Sequence, residues 1–119
     1  MNIVNCTVTI HVTDINKAIQ FYTEVVGFEL IINYGQYYAE LQAPGLFIGL
    51  HTSDKKVQVG NNMSIGIAVR NINYCVEKLK ENGIEIDAVE DGPITIASFS
   101  DPDGNGFYLT NMNSKPKRL

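Results

Sequence analysis

The pentapeptide Val12-Thr13-Asp14-Ile15-Asn16 returns 57 residues later as Val69-Arg70-Asn71-Ile72-Asn73. Ala18-Ile19 is matched by Cys75-Val76 at the same offset, and Gly27-Phe28-Glu29-Leu30 by Gly83-Ile84-Glu85-Ile86 at an offset of 56. A chain of 119 residues that repeats itself at about half its length is not one undivided pattern. It is two similar supersecondary units, each too small to cover both faces of its own sheet.

Each unit reads strand, helix, strand, strand, strand. Residues 3–12 alternate, with Val4, Cys6, Val8, Ile10 and Val12 on one face and Thr7, Thr9 and His11 on the other. Period two with β-branched residues predicts a strand with unlike faces. Asp14 is suited to cap a helix carrying Ile15, Ala18, Ile19, Tyr22 and Val26 on one side and ending near Gly27. Strands are expected at about 28–34, 37–43 and 46–52, broken by Tyr34-Gly35-Gln36 and Ala43-Pro44-Gly45. The pattern then restarts. Ile65, Ile67 and Val69 alternate with small residues, and Asn71 can cap a helix with a stripe of Ile72, Cys75, Val76 and Leu79, closed by Gly83. Strands follow at about 84–90, 94–100 and 106–111, the last two joined by the turn Asp101-Pro102-Asp103-Gly104-Asn105. Module one therefore occupies about 3–52, a polar linker 53–62, and module two about 63–112. Residues 113–119 are expected as a flexible basic tail.

Apolar residues make up 45% and charged ones 18%, which excludes a disordered chain. No apolar run is long enough to span a membrane. The first residues lack a basic segment followed by an apolar one, so a cytoplasmic location is expected. In that setting Cys6 and Cys75 are expected as reduced, buried thiols. The net charge is −4, yet three of the nine basic residues, Lys115, Lys117 and Arg118, lie in the last five positions. The remaining six basic and thirteen acidic residues leave a body of −7. Such a body repels polyanions, so neither nucleic acid nor an anionic membrane is an expected partner.

The repeat, the helix end Phe21-Tyr22-Thr23-Glu24-Val25-Val26-Gly27-Phe28-Glu29-Leu30 and the hairpin Phe99-Ser100-Asp101-Pro102-Asp103-Gly104-Asn105-Gly106-Phe107-Tyr108-Leu109 together resemble the vicinal oxygen chelate superfamily. That group contains glyoxalase I, extradiol dioxygenases, fosfomycin-resistance enzymes and bleomycin-resistance proteins. The resemblance covers about residues 3–112. It implies an α+β fold in which two paired βαβββ modules form a cupped mixed sheet with helices on the outer face. In metal-using members, ligands come from the first and last strands of each module. The matching positions here are Thr7, Gly49, Ser64 and Tyr108. Two neutral hydroxyls, a glycine and a phenol are a poor set for zinc, nickel or iron. The expectation is therefore no metal and no other cofactor. Metal-free members of the bleomycin-resistance type bind a drug in grooves between the subunits of a homodimer. That branch implies small-molecule binding, a second copy as partner, and a role in antibiotic resistance.

On the parity of the strands, Tyr38, Phe47 and Tyr108 fall on the open face with Thr7, Thr9, Ser64 and Gly49. The aromatic rings suit stacking on a planar ligand, or equally packing of the cleft. Tyr34, Tyr37, Phe99 and Phe107 are expected to be structural. His11, His51 and Glu40 share the open face and are the candidates for acid–base chemistry or for a relocated metal, against a reading as solvated side chains. Arg70 either clamps an anionic group or, the favoured reading, pairs with a carboxylate. An enzyme of the lyase, isomerase or dioxygenase kind is the alternative to a binding protein.

Overall fold

The computed structural model describes residues 1–52, 56–60 and 62–112. Parts of the expected linker (53–55 and 61) and the whole expected tail, 113–119, lie outside the described residues. The chain divides into two compact units at Val59/Gly60.

The first unit runs β1 (Thr7–Val12), α1 (Ile15–Gln20), a π-helix (Phe21–Val26), β2 (Glu29–Tyr34), β3 (Tyr38–Ala43) and β4 (Leu46–Thr52). The second runs β5 (Ile65–Ala68), α2 (Ile72–Glu81), β6 (Asp87–Asp91), β7 (Ile94–Ser100) and β8 (Gly106–Thr110). Each unit folds its four strands into one mixed sheet. The orders are β1-β4-β3-β2 and β5-β8-β7-β6, the same topology twice. In each, the first and last strands pair in parallel and the others antiparallel. This is the α+β arrangement of two βαβββ modules that the repeat predicts.

Local chemistry explains the helix ends. The Asp14 carboxylate accepts the Lys17 backbone N–H at 3.1 Å, satisfying one of the otherwise orphaned donors of the first turn. Asn71 stands at the same place in the second unit but makes no side-chain cap bond. The first helix closes at Gly27, whose φ of 98° lies in the left-handed region that glycine adopts without a Cβ clash. There the Tyr22 carbonyl accepts both the Gly27 and Phe28 N–H groups, at 3.1 and 2.8 Å.

Alternation decides what each strand buries. Ile10, Val12, Ala39, Leu41, Ala43, Ile48 and Leu50 form one side of sheet one, and α1 covers β3 and β4 on that side with Ile15 and Ala18. Phe21 and Tyr22 extend the cover, both buried, their rings edge to face at 5.2 Å. In sheet two the buried set is Ala97, Phe99, Phe107 and Leu109, with Ile72, Val76 and Leu79 from α2. Phe99 and Phe107 stack across the strands at 5.6 Å, a structural role as expected.

Five expectations are corrected. Cys6 is exposed and Cys75 half-buried, and both are free thiols. The alternation of residues 3–12 promised a longer strand, but β1 begins at Thr7, where its ladder with β4 starts opposite Phe47. Tyr34 and Tyr37 are exposed, flanking the β2–β3 turn rather than packing inside. The strand expected at 84–90 begins only at Asp87. Arg70 is exposed and pairs with no carboxylate among the described residues, against the favoured salt-bridge reading.

Candidate functional site

The strand pairing of sheet one places its uncovered side chains on a grid. One row across β1, β4, β3 and β2 is Thr7, Phe47, Gln42 and Glu29. The middle row is Thr9, Gly49, Glu40 and Ile32, and the third is His11, His51, Tyr38 and Tyr34. Residues in register share a face because side chains alternate along every strand. The structure thus brings together Thr7, Thr9, His11, Tyr38, Glu40, Phe47 and His51, all singled out from sequence parity alone. Ser64, Arg70 and Tyr108 belong to the second unit.

The third row is a continuous run of rings. His11 and His51 meet edge to face at 5.8 Å, His51 and Tyr38 lie 6.3 Å apart, and Tyr38 stacks on Tyr34 at 6.2 Å. The Tyr38 ring does not stand upright on the sheet. A Cβ placed on Gly49 would meet the Tyr38 hydroxyl at 2.8 Å and its ring at 3.0 Å, with the Thr9 hydroxyl at 3.1 Å. Only a residue without a side chain lets the phenol lie along the sheet there. Gly49 is consequently buried on a face whose neighbours are half-buried or exposed.

From this position the Tyr38 hydroxyl donates to Glu40 Oε2 at 3.0 Å. Burial, then the hydrogen bond and negative charge of Glu40, then Tyr34, hold the Tyr38 phenol above its ordinary pKa, so it keeps its proton. Sequence parity placed Tyr38 and Glu40 on one face but gave no sign of this bond. The signal available was a glycine in the middle of a strand, which often marks a close approach.

Sheet two repeats the device on a different pair of strands. Gly66 on β5 lies opposite Tyr108 on β8, and a Cβ on Gly66 would collide with the Tyr108 ring. The half-buried phenol therefore lies over Gly66. Ser64 is exposed just before β5, near Gly106. The turn before β8 is closed by Asp101, whose Oδ1 accepts the Asp103 and Asn105 backbone N–H groups at 3.0 and 2.8 Å. Its Oδ2 accepts from the Asn105 side chain at 2.8 Å. Asp101 is buried by this turn and is spoken for by it.

The model of the Glyoxalase/Bleomycin resistance protein/Dioxygenase superfamily matches residues 5–109. The chain belongs to that superfamily. It is 32% identical over 114 residues to the uncharacterized protein YetH of Bacillus subtilis, covering 87% of this chain and 93% of YetH. Among solved structures it is similar to FosX, the genomically encoded fosfomycin resistance protein of Listeria monocytogenes. The TM-score is 0.78 at 20% identity, over 98% of this chain and 97% of FosX. A FosX variant was solved with Mn(II) and a dihydroxypropylphosphonic acid, and this chain matches it with a TM-score of 0.75 at 22% identity, over 93% and 91%. A glyoxalase family protein of Bacillus anthracis is also similar, with a TM-score of 0.72 at 18% identity, over 92% and 97%. At these identities the structures share the fold.

The superfamily resemblance implies a divalent metal, and the residues at the matching positions do not fit one. Gly49 has no donor, and the space above it is filled by Tyr38. Thr7 and Ser64 offer neutral hydroxyls, and the Tyr108 phenol lies over Gly66. Imidazole, carboxylate and thiolate, which transition metals prefer, are missing from all four. Among the described residues no three His, Cys, Asp or Glu side chains gather closely enough to hold an ion elsewhere, His11, His51 and Glu40 included. No described helix is long and apolar enough to cross a membrane.

Proposed function

We propose that the protein binds a small planar molecule on the open face of sheet one, without a metal. The observation that carries this reading is the Tyr38 ring laid over Gly49 with its hydroxyl on Glu40. In the glyoxalase-like superfamily that strand position would present a metal ligand. In this chain it presents an aromatic surface flanked by His51 and a carboxylate. Phe47, Thr7 and Thr9 continue the same face, so a flat ligand is met by rings and by hydroxyls at its edge. In the second unit, taken by itself, Ser64, Arg70 and Tyr108 are the residues proposed for ligand contact. Sequestering a drug, and so conferring resistance, is the biological role this supports.

The test is metal analysis of protein purified without chelator, alongside a thermal-shift screen of planar compounds. A ligand that binds the native state raises the melting temperature by mass action. The expected result is substoichiometric metal and stabilisation by planar compounds that Tyr38→Ala abolishes. Stoichiometric metal would overturn the reading.

Glu40 and His51 favour a second reading, an enzyme using acid–base chemistry, because they stand one row apart with the Tyr38 phenol between them. It requires turnover that His51→Ala or Glu40→Gln abolishes in a folded protein.

We also propose that the chain pairs with a second copy through β2. All six β2 residues are exposed at a sheet edge, including Leu30, Ile31 and Ile32. Such an edge invites another strand. Antiparallel pairing centred between Ile31 and Ile32 would set Glu29 opposite Tyr34, so no like charges meet.

A further inference from the structure

The charge of the open face of sheet one carries one step beyond planar binding, and rests on that reading. Its three rows hold two ionised groups, Glu29 and Glu40, and neither lysine nor arginine. Glu29 is exposed on the edge strand, whereas Glu40 is half-buried in the middle row. The Tyr38 hydroxyl already donates its hydrogen bond to Glu40 Oε2. At the point where the two side chains meet, the face therefore offers lone pairs and no free donor from this pair. Beside it, Tyr38 and Tyr34 present π-faces, which attract cations. An anion in the same place would meet a carboxylate from which water has been partly removed, where Coulomb repulsion is stronger than in bulk solvent.

We propose that this site selects a planar cation, an amidinium, guanidinium or protonated aromatic amine, over an anion of the same shape. The positive N–H edge would sit on Glu40 and the flat body on the rings of Tyr38, Tyr34 and His51. Its preference would be opposite in sign to the phosphonic acid found with the similar FosX structure. His11 and His51 are the other titratable groups on the face, and each opposes a cation when protonated.

The experiment uses three probes on one ring, benzamidinium, benzamide and phenylphosphonate, in one mildly alkaline buffer. Binding is followed by calorimetry and by the Tyr38 and His51 ring resonances. Benzamidinium is expected to bind about tenfold more tightly than benzamide, the scale of one added charge-assisted hydrogen bond. Phenylphosphonate is expected to be the weakest. Glu40→Gln should erase the preference while benzamide still binds. Glu24→Gln removes the same net charge from the exposed helix surface and should leave the preference intact. Equal binding of the three probes, or a preference that survives Glu40→Gln, overturns the charge selection and leaves planar binding standing. If neither these probes nor any planar compound moves the two resonances, planar binding itself fails, and charge selection with it.

Discussion

The two units share one topology and differ in how firmly they use it. Every one of the largest fully buried side chains, Tyr22, Ile15, Leu41, Ile48, Leu50 and Val12, belongs to the first unit. The second buries smaller or less completely covered groups, and β5 is only half-buried on its better side. Their outer edges differ in the same way. β2 exposes Leu30, Ile31 and Ile32, whereas β6 at the same place in the other sheet carries Asp87, Glu90 and Asp91. A duplicated backbone thus tolerates divergent faces, because the strand ladder depends on the main chain and the faces on side chains alone.

Matched substitutions test this contrast. Ile15→Ala and Ile72→Ala remove the same atoms at equivalent positions, but Ile15 is 1% exposed and Ile72 8%. We expect a loss of about 4 kcal/mol for the first and about 2 kcal/mol for the second, by urea denaturation. Equal losses would show the units to be equally packed. Gly66→Ala should cost about 2 kcal/mol, because the added methyl drives the Tyr108 ring off the sheet. Tyr108→Ala in the same chain should recover most of that loss. At the helix starts, Asp14→Ala should cost about 1 kcal/mol and Asn71→Ala almost nothing, since Asp14 alone makes a cap bond.

Two smaller measurements sharpen the same comparison. Ile32→Lys should lower the apparent mass of the protein in sedimentation, whereas Val89→Lys on β6 should not. Tyr38 should ionise above the ordinary tyrosine value in an alkaline ultraviolet titration, and Glu40→Gln should bring it down. The sign follows from the raised pKa. The neutral phenol is favoured by the fold, so its contribution is complete below the unfolded tyrosine value. It is lost as pH rises through the folded one.

Much of this was legible in residue order. Period-two runs, capping residues and the glycine–proline punctuation placed all eight strands and both helical segments, because those signals are local. The grid on sheet one was also legible, since parity alone sorts Thr9, His11, Tyr38, Glu40 and His51 to one face. What was hidden depends on partners distant in sequence. Cys6 continues a strand pattern, but the β1–β4 ladder begins one residue later, at Thr7 and Phe47. The mid-strand Gly49 hints at a close approach, but the run from Gln36 to His51 does not name Tyr38 as the ring that makes it, because that needs the β3–β4 register and a rotamer together. Arg70 was favoured as an ion-pair partner from its chemistry, yet it ends at the surface without one among the described residues.

The π-helix at Phe21–Val26 coincides with the one place where the repeat changes length. From cap to closing glycine the first unit runs Asp14 to Gly27 and the second Asn71 to Gly83, one residue shorter. That residue is what moves the repeat offset from 57 to 56. With the strand before it and the glycine turn after it both fixed, the surplus could not spill into a loop. It was wound into the helix, widening the turn from four residues towards five. The irregular segment thus houses the one residue by which the two repeats differ in length.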